Sequence, residues 1–96
     1  ILNRAGEKRG VVAVCLNLTR LQEKKGSLDD AIGTLETGLA VSRSLDDMYG
    51  TAKCLEKLGL LRFQKNEEGE KFLKQALEIY RKLGMKDEER KLKSSM

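Results

Sequence analysis

Sliding the sequence over itself by 40 residues superposes Gly10 on Gly50, Val11 on Thr51, Val14 on Cys54, Cys15 on Leu55, Leu18 on Leu58 and Leu21 on Leu61. At an offset of 38 the match resumes, with Ala31 on Gly69, Leu35 on Leu73, Gly38 on Ala76, Leu39 on Leu77 and Leu45 on Leu83. Two residues are therefore missing from the turn of the second copy. This duplication constrains the fold more than any other feature. A short unit repeated at a fixed period cannot bury its apolar faces alone and has to stack on its neighbours.

Inside each copy the apolar residues recur at helical spacing. Positions 11, 14, 15, 18 and 21, and their counterparts 54, 55, 58 and 61, follow an i, i+3, i+4, i+7 pattern, which lays one stripe along an α-helix. Leu18 and Leu58 are thus expected to face a common seam. Stop and start signals divide each copy into two helices. Gly26 after Lys24-Lys25 is a terminator, because glycine takes the left-handed conformation cheaply and lysines suit the carbonyl end of the dipole. Ser27 is expected to cap the next helix, with Asp29 and Asp30 at its positive end. Asp46-Asp47 and Asn66-Glu67-Glu68 are read as starts of the same kind, Leu83-Gly84 as an end, and Asp87-Glu88-Glu89 as the last start.

The predicted helices are 7–25, 28–45, 48–64, 67–83 and 87–94, unbroken because the chain has no proline. They compose one unit over 1–96: repeat one at about 7–45, repeat two at about 48–83, and a further helix at about 87–94. The expected architecture is all-α, an α-α superhelix of two antiparallel helix pairs plus a fifth C-terminal helix.

Composition narrows the chemistry. The 96 residues include no histidine, which removes Ser-His and Cys-His catalysis and mixed Cys/His zinc sites. No convergent acid, base and nucleophile stand out, so no enzyme, cofactor or small-molecule substrate is expected. Cys15 and Cys54 form neither a C-x-x-C pair nor a framework, and they point to a reducing, cytoplasmic setting. Each lies on an apolar stripe and reads as a small core residue. No apolar run approaches the length needed to span a bilayer, which argues against a membrane partner. The opening Ile-Leu-Asn-Arg-Ala has no initiator Met, as expected of an excerpt from a longer array.

At these residues the chain resembles the tetratricopeptide repeat family. The first copy has Leu18-Thr19 in the middle of its first helix, Gly26 at the turn, then Ala31, Leu35 and Gly38 on the second helix. The second copy has Leu58-Gly59, Gly69, Leu73 and Ala76-Leu77 in the same roles. The spacing of about 40 residues is similar to the longer variant in kinesin light chains and LGN-type spindle regulators. Thr19, Ala31, Gly38, Gly59, Gly69 and Ala76 are read as packing devices that let helices approach closely.

The resemblance implies a concave groove lined by the first helix of each pair. It would hold Ala13, Leu16, Asn17, Arg20, Glu23 and Lys24 from the first copy, and Lys53, Glu56, Lys57, Leu60, Phe63 and Gln64 from the second. Asn17, Arg20, Lys53, Lys57 and Leu60 are the candidate partner-binding residues. Cations, an amide and apolar side chains suit an extended or helical peptide of acidic character. Asn17 matches the asparagine that, in the longer-period relatives, pairs with a ligand backbone. The carboxylate clamp of some family members is incomplete, since Leu16 and Arg20 occupy two of its places.

The expected function is therefore a non-enzymatic scaffold or adaptor segment for a protein or peptide, within a longer array. One alternative is an architectural element of a large cytoskeletal or motor-associated assembly. The other is a basic nucleic-acid-binding module, since net charge is +4 and both ends are basic. Scarce aromatics and acids interrupting the basic runs argue against that last reading.

Overall fold

A computed structural model describes residues 4–96, with side chains from residue 10 onward. The opening Ile1-Leu2-Asn3 and the side chains of Arg4, Lys8 and Arg9, part of the basic N-terminal end, lie outside the described residues. Five helices are found: α1 (Arg4–Lys24), α2 (Leu28–Ser44), α3 (Met48–Gln64), α4 (Glu70–Leu83) and α5 (Lys86–Ser95). The described residues are all-α, with no strand. Sequence neighbours pack antiparallel: α1 on α2, α2 on α3, α3 on α4 and α4 on α5.

One backbone device makes every turn. Gly26, Asp46, Asn66 and Gly84 all have positive φ, at 77°, 53°, 59° and 71°. In each case the next amide reaches back to the last turn: Ser27 N to Gln22 O at 2.9 Å, Asp47 N to Ser42 O at 2.9 Å, Glu67 N to Arg62 O at 2.7 Å and Met85 N to Tyr80 O at 2.9 Å. These are Schellman closures, in which a left-handed residue lets the chain satisfy orphan carbonyls as it leaves the helix. Aspartate and asparagine tolerate that conformation better than other side chains.

Two residues read as start signals, Asp46 and Asn66, are instead the left-handed residues that close the helix before them. Asn66 belongs to the end of α3, and α4 begins only at Glu70, after Gly69 at its N-cap. Ser27 stands at the N-cap of α2 but makes no side-chain cap bond, whereas Asp47 Oδ1 accepts from Gly50 N at 3.0 Å and caps α3.

The small residues lie at helix crossings. Thr19, Ala31 and Ala76 are fully buried, and Gly38, Gly59 and Gly69 are buried as well. A Cβ on Gly38 would stand 3.1 Å from Cys15 Cβ and 3.4 Å from Cys54 Sγ, so α2 is pressed between α1 and α3 at this point. A Cβ on Gly69 would come within 2.2 Å of the Gly59 carbonyl oxygen, so α4 meets α3 backbone to backbone. Around these contacts Leu35, Leu55, Leu58, Leu61, Leu73, Tyr80 and Leu92 fill the core.

The apolar stripes of the two copies have different fates. In α3, Cys54, Leu55, Leu58 and Leu61 are at most 1% exposed. In α1 only Cys15 of the matching set is buried; Val14 is 62% exposed, Leu18 42% and Leu21 56%. The expectation that Leu18 shares the seam of Leu58 is therefore corrected. The α3 stripe lies under α2, and among the described residues no second helix covers the same face of α1. Val12, absent from the predicted stripe, is 4% exposed and takes part in the core.

Candidate functional site

The first helices of successive pairs, α1, α3 and α5, are tied to one another by long polar side chains. Lys57 of α3 lies 3.6 Å from Glu23 of α1, and Lys53 of α3 lies 2.8 Å from Glu88 of α5. Lys53 and Lys57 are one helical turn apart, so one face of α3 reaches both neighbours. The Lys53 ammonium also stands 5.5 Å from the Tyr49 ring centre and 5.9 Å from that of Tyr80. Tyr80 Oη donates to Glu56 Oε1 at 2.8 Å.

These partners set the protonation states. Burial works to lower the Lys53 pKa, but the Glu88 hydrogen bond and the neighbouring acidic groups raise it overall. The same bond holds the Glu88 carboxyl below the usual carboxylate range, against a smaller effect of burial. Burial and the bond to Glu56 push the Tyr80 phenol well above its ordinary value, so it serves as a fixed hydrogen-bond donor.

Each candidate residue can now be placed. Asn17 and Arg20 lie one turn apart on α1, both exposed, and Arg20 has no ion-pair partner among the described residues. Lys53 and Lys57 are half-buried and already neutralised by acids of the chain. Their charges bridge helices before they meet any ligand. Leu60 is half-buried on α3 and lines a cleft of about 540 Å³ with Phe63, Glu70, Leu73, Ser95 and Met96. The structure thus separates a charged stretch around Arg20, Glu23 and Lys57 from an apolar recess around Leu60 and Phe63.

Sequence reasoning did not foresee the part played by Glu88 and Tyr80. The signal for Glu88 was visible but ambiguous, since an acid in the first turn of a helix is usually read as a dipole partner. Tyr80 gave none, because its contact with Glu56 spans 24 positions between helices.

Elsewhere the side chains carry little reactivity. Cys15 and Cys54 are free and buried, and burial raises both thiols, that of Cys54 to about 11. Neither has the thiolate character a nucleophile needs. Among the described residues no three His, Cys, Asp or Glu side chains gather as a metal ion would require, and no helix is long and apolar enough to cross a membrane. Comparison with protein-family models, curated proteins and solved structures returns no match.

Proposed function

We propose that this chain is a non-enzymatic scaffold segment of tetratricopeptide-like α-α superhelical type, which holds a protein or peptide of acidic character along its first helices. The observation that carries the reading is the alignment of α1, α3 and α5 by the Glu23–Lys57 and Lys53–Glu88 bridges. Those bridges fix a continuous polar strip beside an apolar recess. Asn17 offers a donor and an acceptor to a peptide backbone, Arg20 an exposed guanidinium to a carboxylate, and Leu60 with Phe63 a seat for an apolar side chain. Lys53 and Lys57 position the helices and contribute less to capture, because each exchanges one acid for another.

A panel of fluorescent peptides that alternate acidic and apolar residues, with basic counterparts as controls, tests this by anisotropy. Arg20→Glu is expected to weaken acidic-peptide binding at least fivefold, and Asn17→Ala to weaken it about two- to threefold, with helicity unchanged. Equal binding of acidic and basic peptides, or indifference to Arg20→Glu, would reject the groove. The architectural alternative has its own support in the exposed apolar face of α1. It predicts that the groove variants are silent.

A further inference from the structure

The outer face of α1 presents Val11, Val14, Leu18 and Leu21 to solvent, at 43, 62, 42 and 56% exposure. Their spacing of three, four and three residues is that of a coiled-coil seam, which closes on a seam of the same kind. Outside α1 the exposed large apolar side chains among the described residues are Met48, Tyr49, Phe63, Leu83 and Met96. They are spread over the ends of α3 and α4 and the last residue, and they form no second stripe. α5 packs closely on α4 alone, but it exposes Lys86, Asp87, Arg90, Lys91 and Lys93, a charged set that cannot cover an apolar row. Within a second copy of the chain, only α1 offers a surface that matches α1.

We infer that the α1 seam is a self-association surface, on which a second copy of this chain docks by its own α1, antiparallel, in a closed two-fold dimer. The row is self-complementary about a point between Val14 and Leu18. Turning it end for end sets Leu18 against the partner's Val14 and Leu21 against the partner's Val11, and each contact occurs twice. Asn17 borders the seam beside the dyad, where its amide supplies both donor and acceptor to the partner's Asn17. Lys24 falls beside the partner's Gly10, which keeps the two lysine-bearing helix ends apart and opposes the helix dipoles. A parallel pairing would bring Lys24 and Lys25 of both copies together.

The placing of α3 leaves room for this contact. Glu23, which meets Lys57 of α3, stands on the opposite side of α1 from the seam, since successive helical residues turn by about 100°. The first helices then run in one row, α3 and α1 followed by α1 and α3 of the second copy, with Asn17 and Arg20 of both copies along the same side. Eight half-exposed side chains and the residues that flank them bury on the order of 1,000 Å², the lower limit for a specific interface. An interface of that size is weak, so the chain is monomeric at low micromolar concentration and paired at high micromolar. The inference rests on the seam and not on peptide capture by the groove, so either can fail without the other.

Sedimentation of the 96-residue chain across that concentration range, with no peptide present, is the test. A monomer–dimer equilibrium is expected, weakened at least tenfold by Val14→Asp with Leu18→Asp and unchanged by Arg20→Glu. The two aspartates replace exposed side chains, and a circular dichroism melt of the dilute variant within a few degrees of the parent shows that they act on docking. A short bismaleimide reads the direction of pairing. Asn17→Cys is expected to crosslink to its counterpart across the dyad and Lys24→Cys to stay single, while the buried Cys15 and Cys54 are shielded in both. A monomer at every concentration overturns the inference, as does a dimer indifferent to Val14→Asp with Leu18→Asp, or crosslinking at Lys24→Cys and not at Asn17→Cys. Oligomers that keep growing with concentration also overturn it, because a two-fold contact closes at two chains.

Discussion

The two hairpins come from nearly the same pattern and use it differently. α3 and α4 cross where two glycines meet, and a Cβ on Gly69 would stand 2.2 Å from the backbone oxygen of Gly59. At the matching places α1 and α2 have Thr19 and Ala31, both fully buried with their side chains in place. The second hairpin therefore brings backbone against backbone at its crossing, and the expected shortening of its turn is corrected: residues 65–69 join α3 to α4, whereas residues 25–27 join α1 to α2, because α4 begins late, at Glu70. A repeat conserves its seam; the separation across that seam is set by the smallest residue at each crossing.

The sharpest way to break this comparison is to give the second hairpin the methyl group the first already has. Gly69→Ala cannot be absorbed by a rotamer change, because the obstacle is backbone. A loss of about 3 kcal/mol or more is expected, at or beyond the upper end of ordinary overpacking. The reciprocal Ala31→Gly removes one methyl and should cost about 1 kcal/mol. Urea denaturation of the two variants checks the ordering, and equal losses would mean that the crossings are alike.

Next in size is the contrast between matched leucines. Leu58→Ala opens a cavity in a fully buried site and should cost about 2–5 kcal/mol. Leu18→Ala, at 42% exposure, should cost less than about 1 kcal/mol. Thermal melts read this as a fall of roughly 4–8 °C per kcal/mol for a domain of this size. Comparable falls for both would show that the face of α1 is covered in solution.

This contrast also marks how far the sequence could be read. Helix positions were legible, because the repeat, the apolar period and the left-handed residues agree; the largest changes are at two starts, α1 beginning at Arg4 instead of residue 7 and α4 at Glu70 instead of residue 67, where Asn66 serves the helix before it. Which stripe is buried was not legible. Leu18 and Leu58 are the same residue in the same local pattern, and burial depends on whether a neighbouring helix lies against the face. The candidate site was legible in part for a similar reason. Spacing put Lys53 and Lys57 on one face of α3, but a cation's partner is chosen in three dimensions, and both lysines found acids on adjacent first helices.

Helix starts provide a smaller test. Asp47 caps α3 through Gly50 N, whereas Ser27 makes no such bond at the start of α2. Asp47→Ala should cost about 1 kcal/mol. Ser27→Ala should leave the melting temperature within about one degree of the parent. A matching loss at Ser27 would mean that its hydroxyl does cap α2 in solution.

The smallest effect separates the two bridges that align the first helices. Lys53–Glu88 is a direct hydrogen-bonded pair at 2.8 Å, while Lys57 stands 3.6 Å from Glu23. Part-exposed pairs of this kind contribute about 0.2–1 kcal/mol, and the shorter one should sit at the top of that range. Its pH dependence follows from the two shifts. Glu88 is held below its unfolded value, so its contribution is present above about pH 4.3 and is lost as pH falls through the lower folded value. Lys53 is held above its unfolded value, so its contribution is present below about pH 10.4 and is lost as pH rises through the higher folded value. Glu88→Gln should therefore lower stability in the plateau between those limits and flatten the decline at its acid end, with little change below about pH 3. Glu23→Gln should lower the plateau by less. Urea midpoints from pH 3 to 9 measure both, and a Glu88→Gln curve parallel to that of the parent through the acid limb would show that the α3–α5 bridge does not hold in solution.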